Sequence, residues 1–291
     1  MGSGQVRDAD PGAGPGAARA VGDMWFGDHL CLAYVNDEER RAVLTTFLDD
    51  GLRAGHDLVY LVDGEPADAA AARLRDRLRD RFGAALSDGR LTVLPTAGTD
   101  LGAVLDEALA RGRTGVRVTA QACPSLRGWP GTERFTAFED AVHRAVGRAG
   151  RAMALCQFDR RWFAGDHLRE IEARHGGRVR ADAVYDDGVL TIVPLFAPPG
   201  LRLSGAIDES TLPALVEALR DVGGGAAHVC LDLSRLEFCD LDGLRALIRA
   251  NEMSSVLDRQ VILRSMPGCM ELMMRAAGWD TAPGIVTESA P

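Results

Sequence analysis

The chain has 291 residues, 46% of them hydrophobic and 26% charged, with a formal net charge of -9. That length suggests about two domains, and the apolar content suffices for ordinary globular cores. The acidic balance argues against a nucleic-acid partner, which needs a basic face to neutralise phosphate, and no apolar run approaches the roughly 20 residues of a membrane span.

Every basic residue is Arg, and aromatics make up only 5% of the chain, so the cores must be aliphatic. The N-terminus lacks the basic region and apolar stretch of a signal peptide. A cytoplasmic location is therefore expected, in which Cys31, Cys123, Cys156, Cys230, Cys239 and Cys269 are thiols rather than a disulfide framework.

Residues 1–20 are rich in Gly, Ala, Pro and Asp and are expected to be disordered. Their Gly12, Gly14 and Gly16 follow no strand and make no phosphate loop. A short buried strand is expected over 30–34. Asn36 and Asp37 then offer N-caps to a helix over 38–54, whose Val43, Leu44, Phe47, Leu48 and Leu52 recur at helical spacing. Gly55 supplies the stop. The run 58–62 reads as a strand covered on both faces. A charged helix through residue 82 follows, then a strand over 91–94, a helix over 101–112 and a strand over 116–119. A helix over 133–150, a strand over 152–158 and a short helix over 166–175 complete the series. This alternation predicts a mostly parallel sheet covered by helices.

Near residue 180 the texture changes. A turn at 185–188 precedes a strand over 189–196, and Pro198, Pro199 and Gly200 make a second break. The remainder predicts strands over 201–204, 229–233 and 261–263, and helices over 209–222, 242–257 and 268–277. That is a second, smaller α/β unit over 181–291, after a first unit over 21–180.

The stretch Leu201-Arg202-Leu203-Ser204-Gly205-Ala206-Ile207-Asp208 and the run from Val229 through Asp232, Cys239, Asp240 and Gly243 to Leu247 resemble a STAS domain. That family includes bacterial anti-sigma-factor antagonists, and the resemblance spans about residues 186–291. It implies an ATPase-fold anti-sigma factor or kinase as partner, contacted through Asp240, Leu241, Asp242, Gly243 and Arg245. Gly243 would let a partner approach the backbone, or would simply serve packing. In the family the position before that glycine is often a Ser or Thr that the partner kinase phosphorylates. Here it is Asp242, which has no hydroxyl. Three readings stay open: a weak mimic with one charge against about two, a domain that has left the phosphorylation cycle, or an ordinary acidic residue in a first helical turn. Ser234, the nearest upstream hydroxyl, reads as a turn cap.

The opening Gly27-Asp28-His29-Leu30-Cys31-Leu32-Ala33-Tyr34 and Phe47-Leu48-Asp49-Asp50-Gly51-Leu52 resemble a MEDS (methanogen/methylotroph sensory) domain. So do Asp88-Gly89-Arg90-Leu91, Phe138-Glu139, Leu155-Cys156-Gln157-Phe158-Asp159 and His175. The resemblance covers about residues 22–180, although Gly176 stands where the family often has Pro. It implies a degenerate RecA-like α/β fold that senses a small molecule. Nucleotide hydrolysis is not expected, because the first strand-to-helix loop Val35-Asn36-Asp37-Glu38-Glu39 is acidic and lacks Gly, and the chain has no Lys for the phosphates.

His29 and Cys31 lie two apart on a strand and so face the same side. With Tyr34, Cys156 and Asp159 they are candidates for a ligand pocket. With Cys156 and His175 they also offer nitrogen and sulfur to zinc or iron. The spacing is not that of a Cys-x-x-Cys site, so no metal and no cofactor is expected, and a buried core histidine beside small apolar thiols is the plainer reading. Trp25, Trp129, Trp162 and Trp279 are assigned to packing. Residues 124–131 are a mobile lid, a contact loop or a plain surface connection.

The expected function is regulatory and non-enzymatic. A sensory domain, with a small-molecule ligand that the sequence does not name, modulates partner binding by a STAS domain, in a homo-oligomer with no membrane or nucleic-acid partner. The alternatives are a scaffold in a sensory assembly and an enzyme using the His29 and Cys31 region.

Overall fold

The computed structural model describes residues 18–63, 66–78, 80–122, 128–163, 165–222, 225–253 and 259–289. The chain divides into two compact units, Met1–Arg180 and Ala181–Pro291.

In the first unit the apolar runs become strands β2 (His29–Tyr34), β3 (Asp57–Val62), β4 (Leu91–Pro95), β5 (Val116–Gln121) and β6 (Ala152–Asp159). They form one sheet in the order β2-β6-β5-β3-β4, with every pairing parallel. This is the helix-covered parallel sheet that the alternating pattern requires. A two-residue pair, β1 (Arg19–Ala20) and β7 (Val179–Arg180), lies beside it. Expected disorder at residues 19 and 20 is thereby corrected, since both are held in this parallel pair. Residues 1–17, Cys123 and residues 124–127 lie outside the described residues.

Helix α1 (Asp37–Arg53) is capped by the Asn36 side chain, which accepts from the Glu39 N–H at 2.9 Å. The Glu39 carboxylate reaches back to the Val35 N–H at 2.8 Å. This reciprocal cap satisfies two otherwise orphaned donors. The charged region expected as one helix is helical over α2 (Ala67–Leu78) and α3 (Asp80–Ser87), with residue 79 between them outside the described residues. Helices α4 (Leu101–Ala110), α5 (Glu133–Ala149) and α6 (Gly165–Arg174) follow. Gly150 ends α5 in the left-handed region, at φ 67°, a conformation glycine adopts without steric cost.

Successive side chains of a strand face opposite sides. On one side of the sheet Cys31, Val118, Ala120, Cys156 and Phe158 join Leu105 of α4, Phe135, Val142 and Val146 of α5 and Ile171 of α6 in one apolar core. Helix α1 covers the other side. Its Gly51 packs so closely that a Cβ there would lie 2.6 Å from Leu58 Cδ2.

The second unit contains β8 (Tyr185–Asp186), β9 (Leu190–Phe196), β10 (Pro199–Ile207), β11 (His228–Cys239), β12 (Gln260–Arg264) and β13 (Ile285–Glu288). Their order is β13-β12-β11-β10-β9-β8. The β10 to β13 pairings are parallel, and those of β9 with β10 and β8 are antiparallel. Helices α7 (Leu212–Asp221), α8 (Leu241–Ile248) and α9 (Gly268–Ala276) complete it. Leu203, Leu215, Leu219, Leu231, Leu244 and Leu263 are among the residues of its aliphatic core.

Several elements of this unit differ from the sequence reading: β13 was not expected, and β10 takes in Pro199 and Gly200, expected as a break. Strand β11 continues past residue 233 to Cys239 because its distal half pairs with β10 through two register irregularities. Helix α8 ends at Ile248 and passes into a 3-10 turn, Arg249–Asn251, instead of running to residue 257.

Candidate functional site

Four elements of the first unit bring polar side chains to one buried point. His29 opens β2 and Cys156 lies in β6. Glu139 is on the inner face of α5, and His175 follows α6. The parallel register sets Cys31 opposite Cys156, so both point into the same layer, with His29 on that side of β2.

The His29 Nε2 lies 3.4 Å from Cys156 Sγ and 3.3 Å from Glu139 Oε2. The His175 Nε2 lies 3.3 Å from the same carboxylate oxygen, and the Cys156 thiol donates to it at 3.6 Å. The four donor atoms all lie within 4.8 Å of one another. The His and Glu side chains are at most 1% exposed.

Electrostatics follow from burial and proximity. Burial pushes the Glu139 carboxyl up, but the two imidazoles beside it more than offset that and hold it below the usual carboxylate range. Burial holds the His29 imidazole below its ordinary value. Three buried polar atoms of the cluster, His29 Nδ1, Glu139 Oε1 and His175 Nε2, have no hydrogen-bond partner.

The five residues expected to line a ligand pocket do not converge. His29, Cys31 and Cys156 share one layer. Cys31 stands apart from the four-residue cluster. Its thiol donates to the Gly177 carbonyl at 3.5 Å, and burial pushes it up to about 12. Tyr34 points to the opposite side of the sheet, where the Arg40 guanidinium lies 5.7 Å from its ring centroid. The carboxylate of Asp159 accepts from Arg161. The physical reason is the strand alternation itself, since Tyr34 and Asp159 are offset by an odd number of residues from Cys31 and Cys156. A groove of about 560 Å³ lies elsewhere in the unit, lined by Leu61, Asp100, Phe138, Arg144 and Arg148 among others, and none of the five residues lines it.

On the α1 side, Arg40 donates to Gln157 Oε1 and Tyr60 Oη at 2.7 Å each and to Gln121 Oε1 at 3.0 Å. Gln157 Nε2 in turn donates to Thr119 Oγ1 at 2.7 Å. This network is satisfied and buried, so it orders the sheet rather than offering open coordination.

In the second unit Asp240 caps α8, accepting from the Gly243 N–H at 2.7 Å. Asp242 is exposed in the first turn and pairs with Arg245, whose guanidinium lies 5.7 Å from the Trp279 ring centroid. Phe238 and Leu241, 53% and 48% exposed, flank the helix start. Gly243 is buried, and its missing side chain makes room for Ile207 and Cys239. The idea that it admits a partner's backbone is therefore corrected: this glycine serves packing.

The class defined is thus a two-unit α/β protein, with a helix-covered parallel sheet followed by a mixed sheet of six strands. The model of the family described as MEDS, the methanogen/methylotroph, DcmR sensory domain, matches residues 28–176, and that described as Mlab, STAS domain, matches residues 195–287. The chain belongs to the MEDS family and carries a STAS domain after its sensory domain. A solved anti-sigma factor antagonist from Mycobacterium paratuberculosis is similar at 23% identity and a TM-score of 0.27, over 36% of this chain and 81% of that one. No curated protein matches. Among the described residues no helix is long and apolar enough to cross a membrane.

Of the cluster, His29, Cys156 and His175 were legible as candidate ligands. Glu139 was not singled out as one. The available signal was its phase on α5: Phe135, Glu139, Val142 and Val146 are all buried, which places a carboxylate on the apolar stripe of an amphipathic helix.

Proposed function

We propose that the chain is a non-enzymatic regulator, in which the STAS domain binds an ATPase-fold anti-sigma factor through the start of α8 and the MEDS domain modulates that binding. The observation that carries the reading is the surface at the helix start. Two large apolar side chains, Phe238 and Leu241, are exposed beside the charged pair Asp242 and Arg245. An apolar anchor with a charged rim suits a protein partner. The helix start lies within the STAS match over residues 195–287, and the resemblance to that family is what suggests the partner class.

At Asp242 a single carboxylate stands near the positive end of α8, where the helix dipole favours negative charge. With no hydroxyl there, control passes from phosphorylation at this position to the sensory domain. Such control requires that the signal favour one of two states of the chain over the other.

The test is affinity capture from the native host lysate with the full chain and its Leu241→Asp variant as baits, followed by mass spectrometry. An ATPase-fold anti-sigma protein captured by the wild type and lost with the variant supports the reading. Its absence from the wild-type sample, or equal recovery with both baits, overturns it. Asp242→Ser, incubated with the captured protein and ATP, is expected to take up phosphate.

A further inference from the structure

We propose that His29, Glu139, Cys156 and His175 form a closed four-ligand site for a divalent transition metal of the zinc type. The inference goes beyond the partner-binding reading and does not depend on it.

Geometry is the first argument. Bonds of about 2.0–2.3 Å from zinc to nitrogen, oxygen and sulfur put the corners of a tetrahedron roughly 3.3–3.8 Å apart. Four separations among the donor atoms are 3.3, 3.3, 3.4 and 3.6 Å. Two nitrogens, one oxygen and one sulfur form a mixed set that suits a borderline-soft ion.

The hydrogen-bond pattern is the second. His175 Nδ1 lies 2.6 Å from the Ile171 carbonyl oxygen. A carbonyl only accepts, so Nδ1 carries a proton. In the neutral ring Nε2 is then a lone pair, and it faces a carboxylate oxygen 3.3 Å away. Two acceptors that close and that buried call for either a second proton on the ring or a metal cation between them. A backbone carbonyl fixing the far nitrogen is also how metal-bound histidines are commonly oriented.

Charge is the third. With both imidazoles neutral, the Glu139 carboxylate would have no counter-charge in the low-dielectric interior, which is costly. A doubly charged ion with the Glu139 carboxylate, the Cys156 thiolate and two neutral imidazoles is neutral overall. The thiol proton leaves to solvent as the metal binds. All four ligands are buried, so the coordination sphere has no open position of the kind a catalytic zinc keeps. The site suits a structural or sensing role.

The experiment uses the full chain, purified without a metal-affinity step and loaded with Zn²⁺ or Co²⁺. Elemental analysis is expected to find about one equivalent of metal per chain. The Co²⁺ form is expected to show tetrahedral ligand-field bands and a thiolate-to-metal charge-transfer band. Cys31→Ser, altered in the same layer but outside the cluster, should keep that band. Cys156→Ser should lose it, and His175→Gln should lower retention of metal against a competing chelator by at least about tenfold. Where Cys156→Ser fails to fold, the wild-type and Cys31→Ser spectra decide the matter. A wild-type chain that holds less than about a tenth of an equivalent under every loading condition overturns the proposal, and the cluster is then a buried carboxylate–imidazolium group. Loss of the charge-transfer band in Cys31→Ser with its retention in Cys156→Ser overturns it equally.

Discussion

Gly243 sits so close to Ile207 that a Cβ on it would lie 2.3 Å from the Ile207 Cγ2, with Cys239 Sγ at 3.0 Å. The first turn of α8 is thereby pressed onto the end of β10. Gly243→Ala must displace that contact, and a loss of about 1–3 kcal/mol is expected from overpacking. Urea unfolding of the variant, followed by circular dichroism, measures it. An unchanged midpoint would show that the helix start is not seated as described.

The two acidic residues of this turn should behave differently. Asp240 accepts a hydrogen bond from a helix N-terminal amide, whereas Asp242 pairs with Arg245 on the surface. Asp240→Ala is expected to cost about 1 kcal/mol as a lost N-cap. Asp242→Ala should stay within about 0.5 kcal/mol, yet alter partner capture. The same denaturation series compares the two, and an equal loss in both would contradict the assignment of the cap.

Beneath α1, Gln157 holds two partners at once, accepting from Arg40 and donating to Thr119. Gln157→Leu removes both and leaves part of a buried guanidinium unpaired. A destabilisation of roughly 2–4 kcal/mol is expected. A double-mutant cycle with Arg40→Met should show coupling, because the two residues share one network. Strict additivity would count against it.

Acid should act on the second unit through Asp232. Burial pushes its carboxyl up, but hydrogen bonds with Ser234 and Arg202, the latter at 2.8 Å, hold it below its ordinary value. A folded-state value below the unfolded one means that the contribution is present above about pH 4 and is lost as pH falls through the folded value. Asp232→Asn should therefore lower stability at neutral pH and give a shallower acid limb than the wild type. Arg202 is partly exposed, so the effect should be modest and weaken with salt. Urea midpoints across an acidic series measure it, and a loss constant with pH would refute it.

How far the sequence spoke depended on how much of each element's environment was local. Continuous apolar runs such as 58–62 announced buried parallel strands, and Asn36 and Gly55 bounded α1 to within one residue. Strand β13 was missed because it is a mostly exposed edge of four residues, recognisable only by its pairing with β12. The far half of β11 was hidden for the same reason, since its exposed Ser234, Arg235 and Glu237 read as a turn until β10 lies beside them. At the cluster, histidine and cysteine were conspicuous by residue type. Glu139 looked like one more surface carboxylate on a charged helix, whereas the odd offsets of Tyr34 from Cys31 and of Asp159 from Cys156 already put those side chains on the other face of the sheet.

The position of β2 carries a consequence for the order of events in synthesis. It is the first strand of the large sheet, yet its ladder partner is β6, the last. On its other side Cys31 bridges to Arg178, later still in the chain. A growing chain released only as far as α5 therefore has a first strand with nothing to pair with. Its exposed edge must wait, shielded or at risk of pairing wrongly, until the end of the domain leaves the ribosome.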